Sequence, residues 1–182
     1  MRELALHILD LARNSLEAGA GRVEISVVED PTDDRLVIEV RDDGSGMDAA
    51  VRDRVVEADY TTRTTRRWGL GLPLFEAACA RCEGSLHVDS RPGEGTTVSG
   101  VLRLSHLDRT PLGDMGAVLQ ALALESGQMA VRYEHRVGDR SFVLDTGELQ
   151  GELGEAGLTS PAALVELHAL VNRRLAELGS HG

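Results

Sequence analysis

Apolar residues switch between two periods along the chain, and the switches mark out the elements. From residue 3 to 18, Leu4, Ile8, Leu11 and Ser15 fall on one stripe at helical spacing, with Asp10, Asn14 and Glu17 on a second. Gly19-Ala20-Gly21 ends that helix. Val23, Ile25 and Val27 then alternate with polar residues, as do Leu36, Ile38 and Val40, with Pro31 in the turn between these two strands. A short helix is expected from about Asp48 to Glu57. A polar, basic stretch from Asp59 to Arg67 has no usable period. After it, Gly69-Leu70-Gly71-Leu72-Pro73 opens a helix to about Cys82, where a proline is tolerated only in the first turn. Leu86 and Val88 begin one strand, and Val98 to Leu104 form another after a turn.

This α/β unit ends near Ser105, and residues 105–182 read as separately organised. Thr110 is placed to cap a helix with Pro111 at its first position, and Leu112, Met115, Leu119 and Leu122 form its apolar stripe. Met129 to Val137 and Ser141 to Leu144 flank Gly138-Asp139, a hairpin signal. A Gly-rich loop follows, and Pro161 starts a final helix to about Leu178.

Composition removes several function classes. A net charge of -11 argues against a nucleic-acid binder, whose affinity rests on neutralising phosphates. No apolar run reaches the ~20 residues needed to span a bilayer, and the amino terminus lacks a signal-peptide core, so no membrane partner and a cytoplasmic location are expected. All 19 basic residues are Arg. Without Lys there is no Walker-type phosphate loop, no eukaryotic-type kinase site and no Schiff-base chemistry on a side-chain amine. Cys79 and Cys82 form a lone C-x2-C with only His87 nearby in sequence. A structural zinc site wants four ligands, so helix packing is the expected role of these cysteines.

Four short motifs fall in one order: Asp10-x3-Asn14, Asp42-x-Gly44-x-Gly46, Gly69-x-Gly71 and Gly95-Thr96. A helical carboxylate and amide suit a cation and ordered water. A carboxylate on a Gly-rich turn suits an amine, and glycines at a helix start bring backbone N–H groups to phosphates. HILDLARNSLEAGA, DDGSGM, GLGLPL and SRPGEGTTVSGVLRL together resemble the four boxes of the gyrase, heat-shock chaperone, histidine-kinase and mismatch-repair ATPase superfamily, over about residues 3–104. YTTRTTRRWGLGLPL and GEGTTV are closest to the histidine-kinase ATP-binding domain. The resemblance implies an α+β fold, a two-layer α/β sandwich in residues 1–104; the separately organised residues 105–182 are expected to form a small α/β domain that binds a protein partner.

It also implies ATP and Mg²⁺ as cofactors. Position by position, Asn14 matches the Mg²⁺-coordinating Asn, and Asp10 the general-base carboxylate, usually a Glu in the branches that have one. Asp42 matches the adenine-reading Asp, with Gly44, Gly46 and Met47 around the base. Gly69, Leu70, Gly71 and Leu72 match the phosphate-binding helix start, and Thr96 the Thr beside the adenine. Thr97 points to the other strand face. Arg63, Arg66 and Arg67 lie in a lid of about Met47 to Trp68 and are candidates to meet the γ-phosphate; Trp68 stands where many kinases have a further Gly.

The gyrase-like and mismatch-repair branches use a transducer-domain Lys, which this chain lacks, so the kinase branch remains. Ser105-His-Leu-Asp-Arg-Thr-Pro-Leu112 resembles a phosphoacceptor signature on the unusual side of the ATP unit, with a plain loop as the simpler reading of His106. The whole chain is similar to small ATP-binding proteins encoded beside iron-hydrogenase genes, which carry a DR-x-PLGD element, here Asp108, Arg109, Pro111, Leu112, Gly113 and Asp114. Two functions stay open: phosphoryl transfer from ATP to a protein partner, in a regulatory or redox-enzyme context, or a nucleotide-dependent regulatory or assembly module.

Overall fold

The computed structural model describes residues 3–55, 71–125, 129–153 and 157–180. Helix α1 (Leu4–Glu17) leads into the antiparallel strands β1 (Arg22–Asp30) and β2 (Arg35–Asp42), and a short α2 (Ala49–Arg52) follows. Helix α3 (Gly71–Arg81), strands β3 (Ser85–Arg91) and β4 (Gly95–Arg103), and helix α4 (Met115–Glu125) come next. The described chain closes with β5 (Ala130–Val137), β6 (Arg140–Asp145), α5 (Thr146–Leu153) and α6 (Pro161–Leu178). One sheet runs β3-β4-β2-β1-β5-β6, antiparallel throughout except between β1 and β5.

Strand alternation explains the two layers. Val23, Ile25 and Val27, with Leu36, Ile38 and Val40, are buried, and α1, α3, α4 and α6 pack on the sheet. The opposite face carries Arg22, Glu24, Arg132, Glu134 and Arg136, joined by ion pairs along and across strands. A half-exposed polar face of this kind needs no second layer.

The sheet does not stop at residue 104. Strand β5 pairs in parallel with β1, Ile25 opposite Tyr133, and Val131, Tyr133 and Leu119 join one continuous core with Ile25 and Ile38. The segment read as an appendage therefore extends the first sheet and its core.

Two local readings change. No helix begins at Thr110-Pro111: α4 starts at Met115, with the Asp114 carboxylate accepting from the Ala117 amide at 2.9 Å. Pro111 and Leu112 instead offer their carbonyls to the amides of Leu4 (3.0 Å) and Ala5 (2.7 Å). Those amides have no partner within α1, and Glu3 provides no side-chain cap. The Gly-rich stretch after β6 contains α5, despite Gly147 and Gly151; Asp145 accepts from the Gly147 amide at 2.9 Å and starts the helix. The final helix is as expected, with Ser160 capping it and Gly179 ending it.

A buried polar chain pins the new sheet half. Tyr133 donates to His135 Nδ1 (2.7 Å), His135 Nε2 donates to Glu29 (2.8 Å), and Ser180 Oγ donates to the same carboxylate (2.5 Å). The carboxylate only accepts, so it selects the tautomer with the proton on Nε2. Tyr133→Phe leaves His135 Nδ1 without its donor and should lower the unfolding free energy by about 1–3 kcal/mol in denaturant titrations. An unchanged midpoint would remove the network from the account of stability.

His7 supplies a second prediction. It is buried between α1 and α3, stacked near Phe75 with ring centroids 5.3 Å apart, and its Nδ1 has no hydrogen-bond partner among the described residues. Burial, reinforced by the charge of Arg81, pushes its pKa down to about 4. The unfolded chain takes up this proton nearer pH ~6.5, so stability is lost as pH falls through that window towards 4. His7→Leu should remove up to about 3 kcal/mol of that acid loss, read as a flatter dependence of unfolding free energy on pH.

Candidate nucleotide site

The end of β2 turns into DDGSG, and the two carboxylates divide their work by strand alternation. Asp42 faces the helical layer: its Oδ2 accepts from Ser15 Oγ at 2.7 Å, and its Oδ1 from the amides of Gly44 (2.9 Å) and Thr96 (3.2 Å). Asp43 accepts from the amides of Gly21 (2.8 Å) and Arg22 (2.9 Å), closing the turn between α1 and β1. Gly46 has φ +63°, and any side chain there would collide with the Arg91 carbonyl. Met47 is buried, and its amide donates to Ser90 Oγ at 2.8 Å. Ser90 also bonds the Gly95 carbonyl (3.0 Å) and lies 2.9 Å from Thr96 Oγ1. Asp42, Thr96, Ser90 and Met47 thus form one connected polar lattice.

Asp10 and Asn14 stand one turn apart on α1, both half-buried. With a rise of 1.5 Å per residue, Asp10 lies about 7.5 Å along the axis from Ser15, the residue that holds Asp42. Neither side chain hydrogen-bonds another described residue. Burial raises the Asp10 pKa from its ordinary value, and the nearby charge of Arg13 opposes that rise. Gly71, the first residue of α3, faces Asp10: a Cβ there would sit 3.3 Å from the Asp10 Cβ, so a larger residue would crowd the carboxylate. Leu72 is buried behind it. Arg13 makes a bidentate pair with Glu125 at the end of α4, at 2.8 and 2.6 Å.

The structure therefore brings Asp10, Asn14, Gly71 and Leu72 together along α1 and α3, and Asp42, Gly44, Gly46, Met47 and Thr96 together at the strand ends. Thr97 faces the other side of the sheet, as strand parity requires. Gly69, Leu70, Arg63, Arg66, Arg67 and Trp68 lie outside the described residues. Two site residues were missed in sequence, Ser15 and Ser90. Each had a signal, being a polar residue at a position whose phase along its element is apolar.

His106 lies past the far end of β4. Its Nδ1 accepts from the Asp108 amide at 3.1 Å, and about 23 Å of strand separates Arg103 from Thr96. Cys79 and Cys82 are buried free thiols, and burial pushes the Cys79 pKa up to about 12, so it stays protonated. Among the described residues no group of three or more His, Cys, Asp or Glu is placed to hold a metal ion, and no helix is long and apolar enough to cross a membrane.

Several known proteins are similar to this chain. The chain is 34% identical over 112 residues to the non-motile and phage-resistance protein of Caulobacter vibrioides, covering 56% of this chain and 13% of that protein. It is 33% identical over 101 residues to a probable C4-dicarboxylate sensor kinase of Halalkalibacterium halodurans, covering 53% of this chain and 19% of that one. The chain thus spans less than a fifth of either relative. The N-terminal domain of a DNA repair protein superposes with a TM-score of 0.59 at 17% identity, covering 87% of this chain and 59% of that chain, so the shared fold runs well beyond residue 106. Residues 2–106 match the histidine kinase-, DNA gyrase B- and HSP90-like ATPase family, and the chain belongs to it.

Proposed function

We propose that this protein binds Mg-ATP between Asp42 at the end of β2 and the Asp10, Asn14 and Gly71 positions of α1 and α3, and transfers its γ-phosphoryl group to a protein partner supplied in trans. The observation that carries the reading is the Asp42 carboxylate, held by Ser15, Gly44 and Thr96 yet with lone-pair capacity left for one more donor. An adenine amine is such a donor. Asn14 offers an amide oxygen suited to a hard cation, and Asp10 a carboxylate beside the glycine that opens α3.

Mg²⁺ would supply charge neutralisation on the phosphates, with Asn14 as its ligand. Phosphoryl transfer asks the protein mainly for positioning. In this reading Asp42 is the contact for the base end, and the backbone amides that open α3 are the contacts for the phosphate end. Asp10, with its raised pKa, accepts a proton from, or orients, the attacking hydroxyl or imidazole. The distance to His106 argues for an acceptor outside the chain, and residues 105–182 are the proposed partner-binding segment.

One observation favours a second reading, a nucleotide-dependent switch. Arg13, between Asp10 and Asn14 in sequence, is tied to Glu125, so a change around the phosphates reaches the segment after residue 104 directly.

Asp42→Ala should weaken ATP binding ten- to a hundredfold, equivalent to ~1.5–3 kcal/mol for a charge-assisted hydrogen bond; equal calorimetric affinity would reject the adenine assignment. Asn14→Ala should abolish the Mg²⁺ dependence of binding while leaving adenine recognition. Incubation with γ-labelled ATP separates the two functions. The transferase reading predicts label on an added partner and none on His106, so His106→Gln changes nothing. Self-labelling lost in His106→Gln would overturn transfer in trans, and ATP binding without label on any protein would favour the switch.

A further inference from the structure

Each hydroxyl at the strand ends has one proton to give, and the contacts around Ser90 fix where those protons lie. Ser90 Oγ is 3.0 Å from the Gly95 carbonyl oxygen, which only accepts, so the Ser90 proton belongs on that line. The Met47 amide donates to Ser90 Oγ at 2.8 Å and takes one of its lone pairs. Thr96 Oγ1 stands 2.9 Å from Ser90 Oγ, where either atom could donate. With the Ser90 proton on Gly95, the Thr96 hydroxyl donates to Ser90, and all three contacts are hydrogen bonds. Reversing that bond would leave the Ser90 and Gly95 oxygens 3.0 Å apart with no proton between them. Ser90 and Thr96 are both buried, so a bond lost there is costly.

The Asp42 carboxylate, directly across the ladder from Thr96, is filled in the same way. Its Oδ1 accepts from the Gly44 and Thr96 amides. Its Oδ2 accepts from Ser15, whose proton favours the carboxylate at 2.7 Å over the Leu11 carbonyl at 3.2 Å. A lone pair remains on Asp42 Oδ2. Lone pairs also remain on Thr96 Oγ1, which has no further partner among the described residues. Every hydroxyl proton of the lattice is spent, so its side chains have only acceptors left to offer.

We propose that Ser90 is a specificity-determining positioning residue: by taking the Thr96 proton it keeps Thr96 an acceptor, so the site admits a 6-amino purine and rejects a 6-oxo purine. The inference rests on the nucleotide reading of Asp42 and adds to it a residue that acts through Thr96. An exocyclic amine carries two hydrogens, and Asp42 Oδ2 and Thr96 Oγ1 can take them directly or through a water. A 6-oxo group would set its own lone pairs against both acceptors, with no side-chain donor of the lattice to meet it. Asp42 alone gives weaker discrimination. A Thr96 hydroxyl free to turn would donate to the oxo group and offset part of the repulsion from the carboxylate.

The test is calorimetric titration of the whole protein with ATP and with ITP, its 6-oxo counterpart. The wild type should bind ATP about tenfold more tightly than ITP, or better. Ser90→Ala frees the Thr96 hydroxyl, and the ratio of ATP to ITP affinity should fall about fivefold to tenfold, the worth of one hydrogen bond. Ser90→Cys, close to serine in shape but a weak acceptor, should lower the ratio likewise while the packing is kept. Thr96→Val removes the hydroxyl at nearly constant shape, so adding Ser90→Ala to it should move the ratio no further. A merely structural role for Ser90 would weaken both nucleotides equally. An unchanged ratio in Ser90→Ala, in a protein whose ATP affinity still depends on Asp42, would overturn this inference and leave the nucleotide site standing. A wild type that binds neither nucleotide would overturn both.

Discussion

The Asp42 carboxylate joins three elements that sequence keeps far apart. It accepts from Ser15 on α1, from Gly44 in its own turn and from Thr96 at the start of β4. Its position fixes how α1 lies over the sheet. It also sets the separation between this carboxylate and the Asp10 and Asn14 pair farther along the helix that carries Ser15. A half-buried carboxylate with three donors is held against rotation, because each lost bond exposes an unmet polar group. The adjoining lattice through Ser90 and Met47 extends that rigidity to the loop entering α2.

The segment after residue 104 is woven into this arrangement. It caps the free amides at the start of α1 through Pro111 and Leu112, grips Arg13 through Glu125, and extends the sheet through β5. The helix carrying Asp10 and Asn14 is therefore held from beneath by the sheet and along its length by the second part of the chain. The surface pair contributes little stability alone; the backbone bonds and the shared core are what join the two parts.

Much of the site was legible in the sequence because its parts are local. Asp10 and Asn14 share a helix face by spacing, and the DDGSG turn and the glycine opening α3 are contiguous motifs. Ser15 and Ser90 escaped because a serine in an apolar phase reads as tolerated until its partner is known. Their partners lie 27 and 43 residues away, at Asp42 and Met47.

The sequence by itself determined the alternation that makes one sheet face apolar, the stripe of α1, the hairpin at Gly138-Asp139 and the ends of α6. These depend on residue type and short-range spacing. Only the tertiary structure decided that β5 lies parallel to β1, that α4 starts at Met115 and not at Thr110, and that Thr146–Leu153 is helical. Each turns on a backbone group whose partner is distant in the chain: the carbonyls of Pro111 and Leu112 serve α1, and the Val131 amide bonds Thr146 Oγ1 at 2.8 Å. Local propensity carries no information about such a partner, and burial makes its absence costly.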